Sequence, residues 1–174
     1  SGLAMCRNFV GETVPLFQMD AGCMPYESEF DLAGLFDVIE HVHDDIGILK
    51  GVFKILKPGG GLIVTAPQHP FLWSKMDEIV HHKRRYKVGA LAARLRQAGF
   101  TVERQTPYNT FVLPALMITR LLGAAKKARP EWEWKINPAL NRVLYWVSLL
   151  EEAVNPILRL PFGGSVMVIA RKPR

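Results

Sequence analysis

The stretch FDLAGLFDVIEHVHDDIGILKGVFKILKPGGGLIVTAP, residues 30–67, decides the fold of this chain. It opens with an apolar run over residues 32–39 that Asp37 interrupts, which is typical of a buried strand with polar groups near its carboxyl end. A helix should begin near Asp44-Asp45, because Asp is a good N-cap and suits the positive end of the helix dipole. The Pro-Gly-rich segment 57–61 ends that helix, since Pro cannot continue one. The apolar run that follows predicts a second strand, and this β-α-β unit implies a parallel pair.

The segments around this unit continue the alternation of helices and strands. We predict helices over residues 1–9 and 88–98 and from Pro138 onward, and strands over residues 14–19, 101–108 and 165–170. Such alternation is typical of an α/β, doubly wound fold with a mostly parallel sheet. We expect a single domain over residues 1–174, in which residues 109–160 form a helical insertion or lid before the last strand.

Three motifs of the central stretch resemble the central motifs of class I S-adenosylmethionine-dependent methyltransferases. They are Phe30-Asp31-Leu32, Asp37-Val38-Ile39-Glu40-His41-Val42 and Leu56-Lys57-Pro58-Gly59-Gly60, in that order. The resemblance implies a Rossmann-like methyltransferase fold and S-adenosylmethionine as the cofactor.

The resemblance covers only the later two-thirds of such a domain. The family's Gly-rich cofactor loop and the acid that holds the ribose hydroxyls would both precede Ser1, so we expect an N-terminally incomplete version of the fold. Gly59–Gly61 does not replace the loop, because it follows a helix and lacks the strand–turn–helix context of a nucleotide-binding loop.

The resemblance also implies which residues would bind the cofactor. Asp20 would hydrogen-bond the adenine amino group, and the backbone amide of Ala21 would approach the ring; the alternative for Asp20 is the start of a turn. Phe36, Asp37 and Val38 would line the methionine end, where an acid attracts an ammonium group. His41 would complete the cofactor site and face the methyl acceptor.

Asp37, Glu40 and His41 allow a second interpretation, because their i, i+3, i+4 spacing places them on one side of a helical turn. In catechol- and RNA-methylating enzymes related to the resembling family, such sets bind Mg²⁺. However, Mg²⁺ prefers hard oxygen ligands, and His suits it less well. We therefore favour cofactor binding over helix capping and over a metal site, and expect no bound metal.

His69 and His82 are the candidate catalytic residues. The segment from His69 to Tyr86 leaves the carboxyl end of the second strand of the central unit, so it should overhang the ligand crevice and shape the acceptor pocket. An unperturbed His titrates near neutral pH and can act as a general base. The alternative is that both are partly exposed loop residues, since many methyl transfers need only alignment of the acceptor.

Charged and apolar residues are unevenly distributed. Residues 81–129 contain eleven Lys and Arg and one acid, a net charge of +10, whereas the rest of the chain carries −4. This segment is a solvated helical face or a surface for anionic headgroups or a phosphorylated substrate. Nucleic acid is disfavoured, because no aromatic platform accompanies the charge.

The helix from Pro138 is apolar on more than one side, and Trp132, Trp134 and Trp146 accompany it. This pattern indicates core packing, an apolar acceptor channel or a peripheral membrane contact. Cys6 and Cys23 form neither a metal-ligand spacing nor a disulfide framework, and no signal peptide or spanning segment is visible. We expect a cytoplasmic protein, with membrane association as the alternative.

The sequence as a whole favours methyl transfer from S-adenosylmethionine to a small or lipid-like acceptor. The alternative is a non-catalytic module of the same fold that binds a partner or a membrane surface. The absent Gly-rich loop favours that alternative, whereas acids at the ends of two strands, Asp20 and Asp37, favour the enzyme. Neither the acceptor nor the oligomeric state follows from the sequence.

Overall fold

The computed structural model describes residues 2–121, 137–158 and 160–174. Within these residues the strands are β1 (Phe30–Phe36), β2 (Leu56–Pro67), β3 (Thr101–Tyr108) and β4 (Ser165–Arg171). The α-helices are α1 (Gly2–Val10), α2 (Asp45–Ile55), α3 (Lys75–Ile79), α4 (Ala90–Gln97), α5 (Leu113–Leu121) and α6 (Pro138–Leu158). Short 3-10 helices cover Ile39–His41 and Pro70–Leu72.

The described strands form one mixed sheet in the order β1-β2-β4-β3. β1 and β2 pair in parallel, and β4 runs antiparallel to both β2 and β3, so β1, β2 and β3 point in one direction and β4 in the opposite one. The predicted β-α-β unit is therefore confirmed. Three of the four described strands run in the same direction, as predicted, but β4 lies antiparallel between β2 and β3. The helix of this unit starts as predicted, because the side chain of Asp44 accepts a hydrogen bond of 2.8 Å from the N–H of Gly47.

The hydrophobic core lies on the face of the sheet that α2 and α4 cover. Its strand residues alternate along β2 and β4, as expected when successive side chains of a strand point to opposite faces. The fully buried members include Leu49, Leu62, Val64, Leu95 and Val168. Burying each such side chain stabilises the fold by roughly 1.5–3 kcal/mol. Gly99 ends α4 with φ +103°, a conformation that favours glycine.

Three predicted strands differ from the structure. β2 begins at Leu56 and includes the segment 57–61 that was predicted as a turn, because the backbone of Gly59 and Gly60 exchanges hydrogen bonds with Lys172.

Residues 14–19 form no strand. The carbonyl of Val14 accepts a hydrogen bond from the Arg7 side chain instead. A strand needs a backbone ladder with a neighbour, and no described strand lies beside this segment. β1 ends at Phe36 rather than Ile39, because Asp37 has φ +50° and the chain then turns into the first 3-10 helix.

Helices α5 and α6 lie between β3 and β4, within residues 109–160. α6 carries exposed apolar side chains such as Trp146, which is 63% exposed, but it buries Glu151 and Asn155. Trp132 and Trp134 lie outside the described residues. In the part of the chain that the structure describes, every helix is too short or too polar to span a lipid bilayer.

Candidate cofactor and acceptor site

The candidate site lies where the carboxyl ends of β1 and β2 meet the beginning of β4. Open α/β sheets bind their ligands at this edge. Asp37 follows β1 with φ +50°, a left-handed conformation that is strained for a residue with a side chain. Its N–H donates to Thr65 Oγ1 at 3.0 Å, and the Thr65 hydroxyl donates to Asp37 Oδ1 at 3.1 Å. β2 therefore fixes the exposed Asp37 carboxylate at the crevice.

Tyr108, the last residue of β3, extends this polar edge. Tyr108 pairs with Ser165 across the ladder between β3 and β4. Burial raises the pKa of Tyr108, and the negative charge of Asp37 acts in the same direction. Tyr108 is therefore a neutral hydrogen-bonding group beside Asp37.

Phe36 and Val38 leave apolar surface on either side of Asp37. Phe36 is 62% exposed and Val38 is 37% exposed. An acid between two accessible apolar side chains suits a ligand with both a cationic and an apolar part. The structure thus brings together the three residues expected at the methionine end, and their role in binding stays a prediction.

Asp20 and Ala21 lie in a turn that packs against α2. Asp20 Oδ1 accepts a hydrogen bond from the N–H of Gly22 at 2.8 Å. The carbonyl oxygen of Ala21 faces α2 at Gly51, where a Cβ atom would lie 3.3 Å from it. Asp20 therefore supports its own turn, which is the alternative that the sequence left open, and adenine binding by these residues stays a prediction.

Glu40, His41 and His82 form a cluster just beyond the end of β1. One ligand atom from each residue lies within 4.8 Å of the other two. The rings of His41 and His82 meet edge to face with centroids 4.7 Å apart, and His82 Nε2 lies 3.8 Å from Glu40 Oε1. The sequence grouped Asp37, Glu40 and His41, whereas the cluster in the structure contains His82, from a distant segment, in place of Asp37.

The electrostatics of this cluster are unusual. Glu40 is 0% exposed, and neither of its carboxylate oxygens has a hydrogen-bond partner. Burial raises the pKa of Glu40 to about 7, and the charge of Asp37 acts in the same direction. Burial and the neighbouring His82 lower the pKa of His41. The cluster therefore combines a carboxyl and an imidazole whose charged forms are both disfavoured.

Asp77 is buried and fixes the orientation of His82. Its Oδ1 accepts hydrogen bonds from His82 Nδ1 at 2.9 Å and Arg85 Nε at 2.7 Å, and its Oδ2 accepts from the N–H of Ser74 at 2.9 Å. Burial raises the pKa of Asp77, but the hydrogen bonds from Arg85 and His82 outweigh that effect and hold it below its usual value. An ionised carboxylate only accepts hydrogen bonds, so His82 Nδ1 carries the proton.

His69 differs from His82 in its surroundings. It follows β2 with φ +62°, and its backbone N–H donates to the carbonyl of Tyr86 at 3.0 Å. Its ring lies 5.2 Å from that of Phe71, and its Nε2 is buried without a hydrogen-bond partner. His69 thus has an unpaired ring nitrogen, whereas acids face both ring nitrogens of His82.

The arginines of the basic segment 81–86 bind the protein itself. Arg84 Nη1 donates to Asp45 Oδ2 at 3.0 Å, and its Nη2 donates to two backbone carbonyls of the preceding loop. Arg85 is engaged by Asp77. Arg84 therefore holds the segment against the start of α2 and Arg85 holds it against α3, so neither is part of an open cationic surface.

Two cavities lie between the sheet and the helices α5 and α6. One, of about 370 Å³, has a mainly apolar lining that includes Pro67, Leu113, Leu116 and Leu144. The other, of about 380 Å³, is lined by polar residues of β3 and α6 that include Tyr108, Glu151 and Asn155. Asn109 and Ser148 line both cavities, so the two are neighbours along α6. Each volume is in the range of small-molecule pockets.

The sequence matches a known family over this part of the fold. A family model described as a methyltransferase domain matches residues 5–105, which is more than half of the chain. The chain belongs to this methyltransferase domain family. The match spans β1, α2, β2 and the His69–Tyr86 segment, so it includes Asp37 and the cluster of Glu40, His41 and His82. A search of curated protein sequences returned no match.

Solved structures share the methyltransferase fold at low sequence identity. An S-adenosylmethionine-dependent methyltransferase from Mesorhizobium loti is 16% identical with a TM-score of 0.57, over 98% of this chain and 75% of that one. The cyclase SpnF is 20% identical with a TM-score of 0.54, over 98% of this chain and 60% of that one. Phosphoethanolamine N-methyltransferase 2 from Haemonchus contortus, solved with S-adenosylmethionine, is 18% identical with a TM-score of 0.50, over 89% of this chain and 36% of that one.

These comparisons confirm the class I methyltransferase fold and S-adenosylmethionine as the cofactor of the family. The chain spans 60% of SpnF and 36% of the Haemonchus contortus enzyme. SpnF is named for a cyclase reaction on the same fold, which illustrates that the fold alone does not determine the reaction.

Three residues of the site were absent from the sequence prediction: Thr65, Asp77 and Tyr108. Asp77 had a local signal, because Ser74-x-x-Asp77 forms a capping box at the start of α3. Thr65 ends a predicted buried strand as a polar residue, which is a weaker signal. Tyr108 had none, since its position depends on how β3 pairs with β4.

Proposed function

We propose that this methyltransferase domain catalyses transfer of a methyl group from S-adenosylmethionine to a small or lipid-like acceptor. The observation that supports this best is Asp37, an acid held in a strained conformation at the carboxyl end of β1 by hydrogen bonds with Thr65. Strain of this kind is concentrated at functional sites. The match of the family model over the same residues supports the proposal independently.

The residues present fit the methionine end of the cofactor. The exposed carboxylate of Asp37 would attract the amino group, and Phe36 and Val38 would contact the apolar part of the ligand. Asp20 and Ala21 would hold the adenine. S-adenosylmethionine supplies a methyl group bonded to a positively charged sulfur, so the protein needs chiefly to orient the acceptor and to exclude water.

The neighbouring cavities are the proposed acceptor site. Their mainly apolar part opens beside Pro67 and Ser165, at the same sheet edge as Asp37. A lining of this kind suits an acceptor with an apolar body. Where the acceptor is a weak nucleophile, His69 is the better candidate for a general base, because its Nε2 is unpaired while Asp77 engages His82.

Titration calorimetry of the full-length protein with S-adenosylhomocysteine tests the cofactor site. We expect binding by the wild-type protein and a loss of affinity of about tenfold or more in Asp37→Asn, since the loss of one charge–charge contact is worth about 1–2 kcal/mol. Asp31→Asn is the matched control on the same strand, because Asp31 is exposed and pairs with Lys57 at 2.9 Å. No binding by the wild-type protein would refute the enzyme and favour a non-catalytic, partner-binding module.

A further inference from the structure

We propose that Glu40, His41 and His82 bind a divalent transition-metal ion. The three residues come from two separate segments, the 3-10 helix after β1 and the loop after α3, and one ligand atom of each lies within 4.8 Å of the others. A metal ion at their centre would be within coordination distance after small side-chain rotations, because metal–nitrogen and metal–oxygen bonds are about 2.0–2.2 Å long.

The carboxylate of Glu40 points to a ligand independently of this spacing. It is completely buried, and both of its oxygens lack a hydrogen-bond partner. A buried carboxylate is normally paired with a cation or saturated with hydrogen bonds, because desolvation is costly. The nearest basic group, His82, lies 3.8 Å away, beyond hydrogen-bond distance. A metal ion would satisfy both oxygens of Glu40.

The surroundings of His82 prepare it for coordination. Its Nδ1 forms a hydrogen bond of 2.9 Å with the buried carboxyl group of Asp77, which fixes the ring and leaves Nε2 available to a metal ion. That nitrogen is the atom that faces Glu40. Metal-binding histidines usually donate the N–H of their other ring nitrogen to a carboxylate in this way. Arg85 and Ser74 in turn hold Asp77 in place.

The ligand set favours particular metals. Two imidazoles and one carboxylate suit Zn²⁺, Fe²⁺, Co²⁺ or Ni²⁺, whereas Mg²⁺ and Ca²⁺ prefer oxygen ligands. Three protein ligands leave at least one coordination position for water or for an oxygen of the acceptor. The sequence indicated His41 as a cofactor-binding residue and His82 as one of two candidate general bases. The metal proposal gives both imidazoles a different role and leaves His69 as the candidate base.

Co²⁺ binding to the full-length protein, after removal of metals by a chelator, tests the site directly. We expect visible d–d absorption bands that saturate at one Co²⁺ per chain, and a rise of the melting temperature with Co²⁺ or Zn²⁺ concentration. Glu40→Gln and His82→Asn should abolish the bands or weaken binding by at least about tenfold. His43→Asn is the matched control, because His43 is exposed and lies in the same loop as His41.

Asp77→Asn separates coordination from a purely structural role. It should keep all three ligands but weaken Co²⁺ binding by about 10–100-fold. If one variant fails to fold, His41→Asn provides a second test of a ligand. Absence of Co²⁺ bands in the wild-type protein, or unchanged binding in the folded ligand variants, would overturn the proposal. The measurement needs neither cofactor nor acceptor, so its outcome is independent of the methyltransferase proposal.

Discussion

Asp37 and Glu40 each destabilise the folded state. The left-handed conformation of Asp37 costs about 1–3 kcal/mol for a residue with a side chain. Glu40 buries a carboxylate whose oxygens have no partner, which is also destabilising. The two residues lie three positions apart at the carboxyl end of β1. Unfavourable terms that cluster at a ligand-binding edge are expected where function, rather than packing, selects the residues.

Tyr86 gives a prediction about stability at alkaline pH. Burial raises its pKa, and the charge of Asp45, to which its hydroxyl donates at 3.1 Å, acts in the same direction. The unfolded chain ionises this tyrosine near the ordinary pKa of 10.0, whereas the folded protein keeps the proton to higher pH. Deprotonation therefore favours the unfolded chain, and stability should fall as the pH rises above about 10.

Urea unfolding at several pH values measures this contribution. Tyr86→Phe should be less stable than the wild type by about 1 kcal/mol at neutral pH, because the hydrogen bond to Asp45 is lost. Its stability should then fall less steeply between about pH 9 and about pH 11. Tyr145→Phe, at an exposed tyrosine, is the control and should follow the wild type. Equal slopes of the free energy of unfolding against pH for Tyr86→Phe and the wild type would contradict this prediction.

At the scale of elements, Asp45 joins helix α2 to the basic segment 81–86. It is 3% exposed, accepts hydrogen bonds from Arg84 Nη1 and the Tyr86 hydroxyl, and starts α2, where a negative charge is favourable. Asp45→Asn would leave Arg84 without its partner carboxylate. We expect a loss of about 2–4 kcal/mol in the free energy of unfolding, measured by urea denaturation.

The matched control for Asp45 is Asp31→Asn. Asp31 also pairs with one cation, Lys57, but both side chains are exposed, so the expected loss is below about 1 kcal/mol. Similar losses in the two variants would show that burial does not set the strength of these pairs. A loss in Asp45→Asn that persists in an Arg84→Ala background would assign the effect to the remaining contacts of Asp45, which are the Tyr86 hydroxyl, Arg94 and the start of α2.

The same elements explain which parts of the fold were predictable from the sequence. The order and the parallel pairing of the unit from β1 to β2 were predicted correctly, because the cap at Asp44 and the end of α2 are local signals. The start of β2 was not, because the Pro-Gly-rich residues 57–61 indicate a turn but belong to the strand. The strand over residues 14–19 was wrong, because a strand depends on a neighbour that sequence patterns do not reveal. The end of β1 was misplaced by three residues, since the apolar run continues into the 3-10 helix.

At the scale of the whole molecule, the site depends on long-range contacts. Glu40 and His41 are adjacent in sequence, but His82 reaches them only because the segment after β2 returns to the end of β1, where the N–H of Lys83 donates to the carbonyl of Glu40 at 2.7 Å. Residue types suggested His82 as a catalytic candidate, and no local pattern linked it to Glu40. The fold class was therefore accessible from the sequence, whereas the arrangement of the side chains in the site was not.

The acceptor site gives the last prediction, which rests on the proposed function. Ser148 of α6 lines both cavities between the sheet and helices α5 and α6. Ser148→Trp should fill their shared space and weaken binding of a fluorescent fatty-acid probe by at least about tenfold, as expected for loss of an apolar contact surface. Affinity for S-adenosylhomocysteine should stay unchanged, because Ser148 is not among the residues proposed to hold it.

Leu140→Trp is the matched control for this variant, since it introduces the same side chain at an exposed position of the same helix, where Leu140 is 53% exposed. It should leave probe binding intact. Loss of probe binding in both variants would indicate that the probe binds the exposed apolar surface of α6 and not the cavities. Unchanged binding in Ser148→Trp would argue against the cavities as the acceptor site, because Ser148 lines both of them.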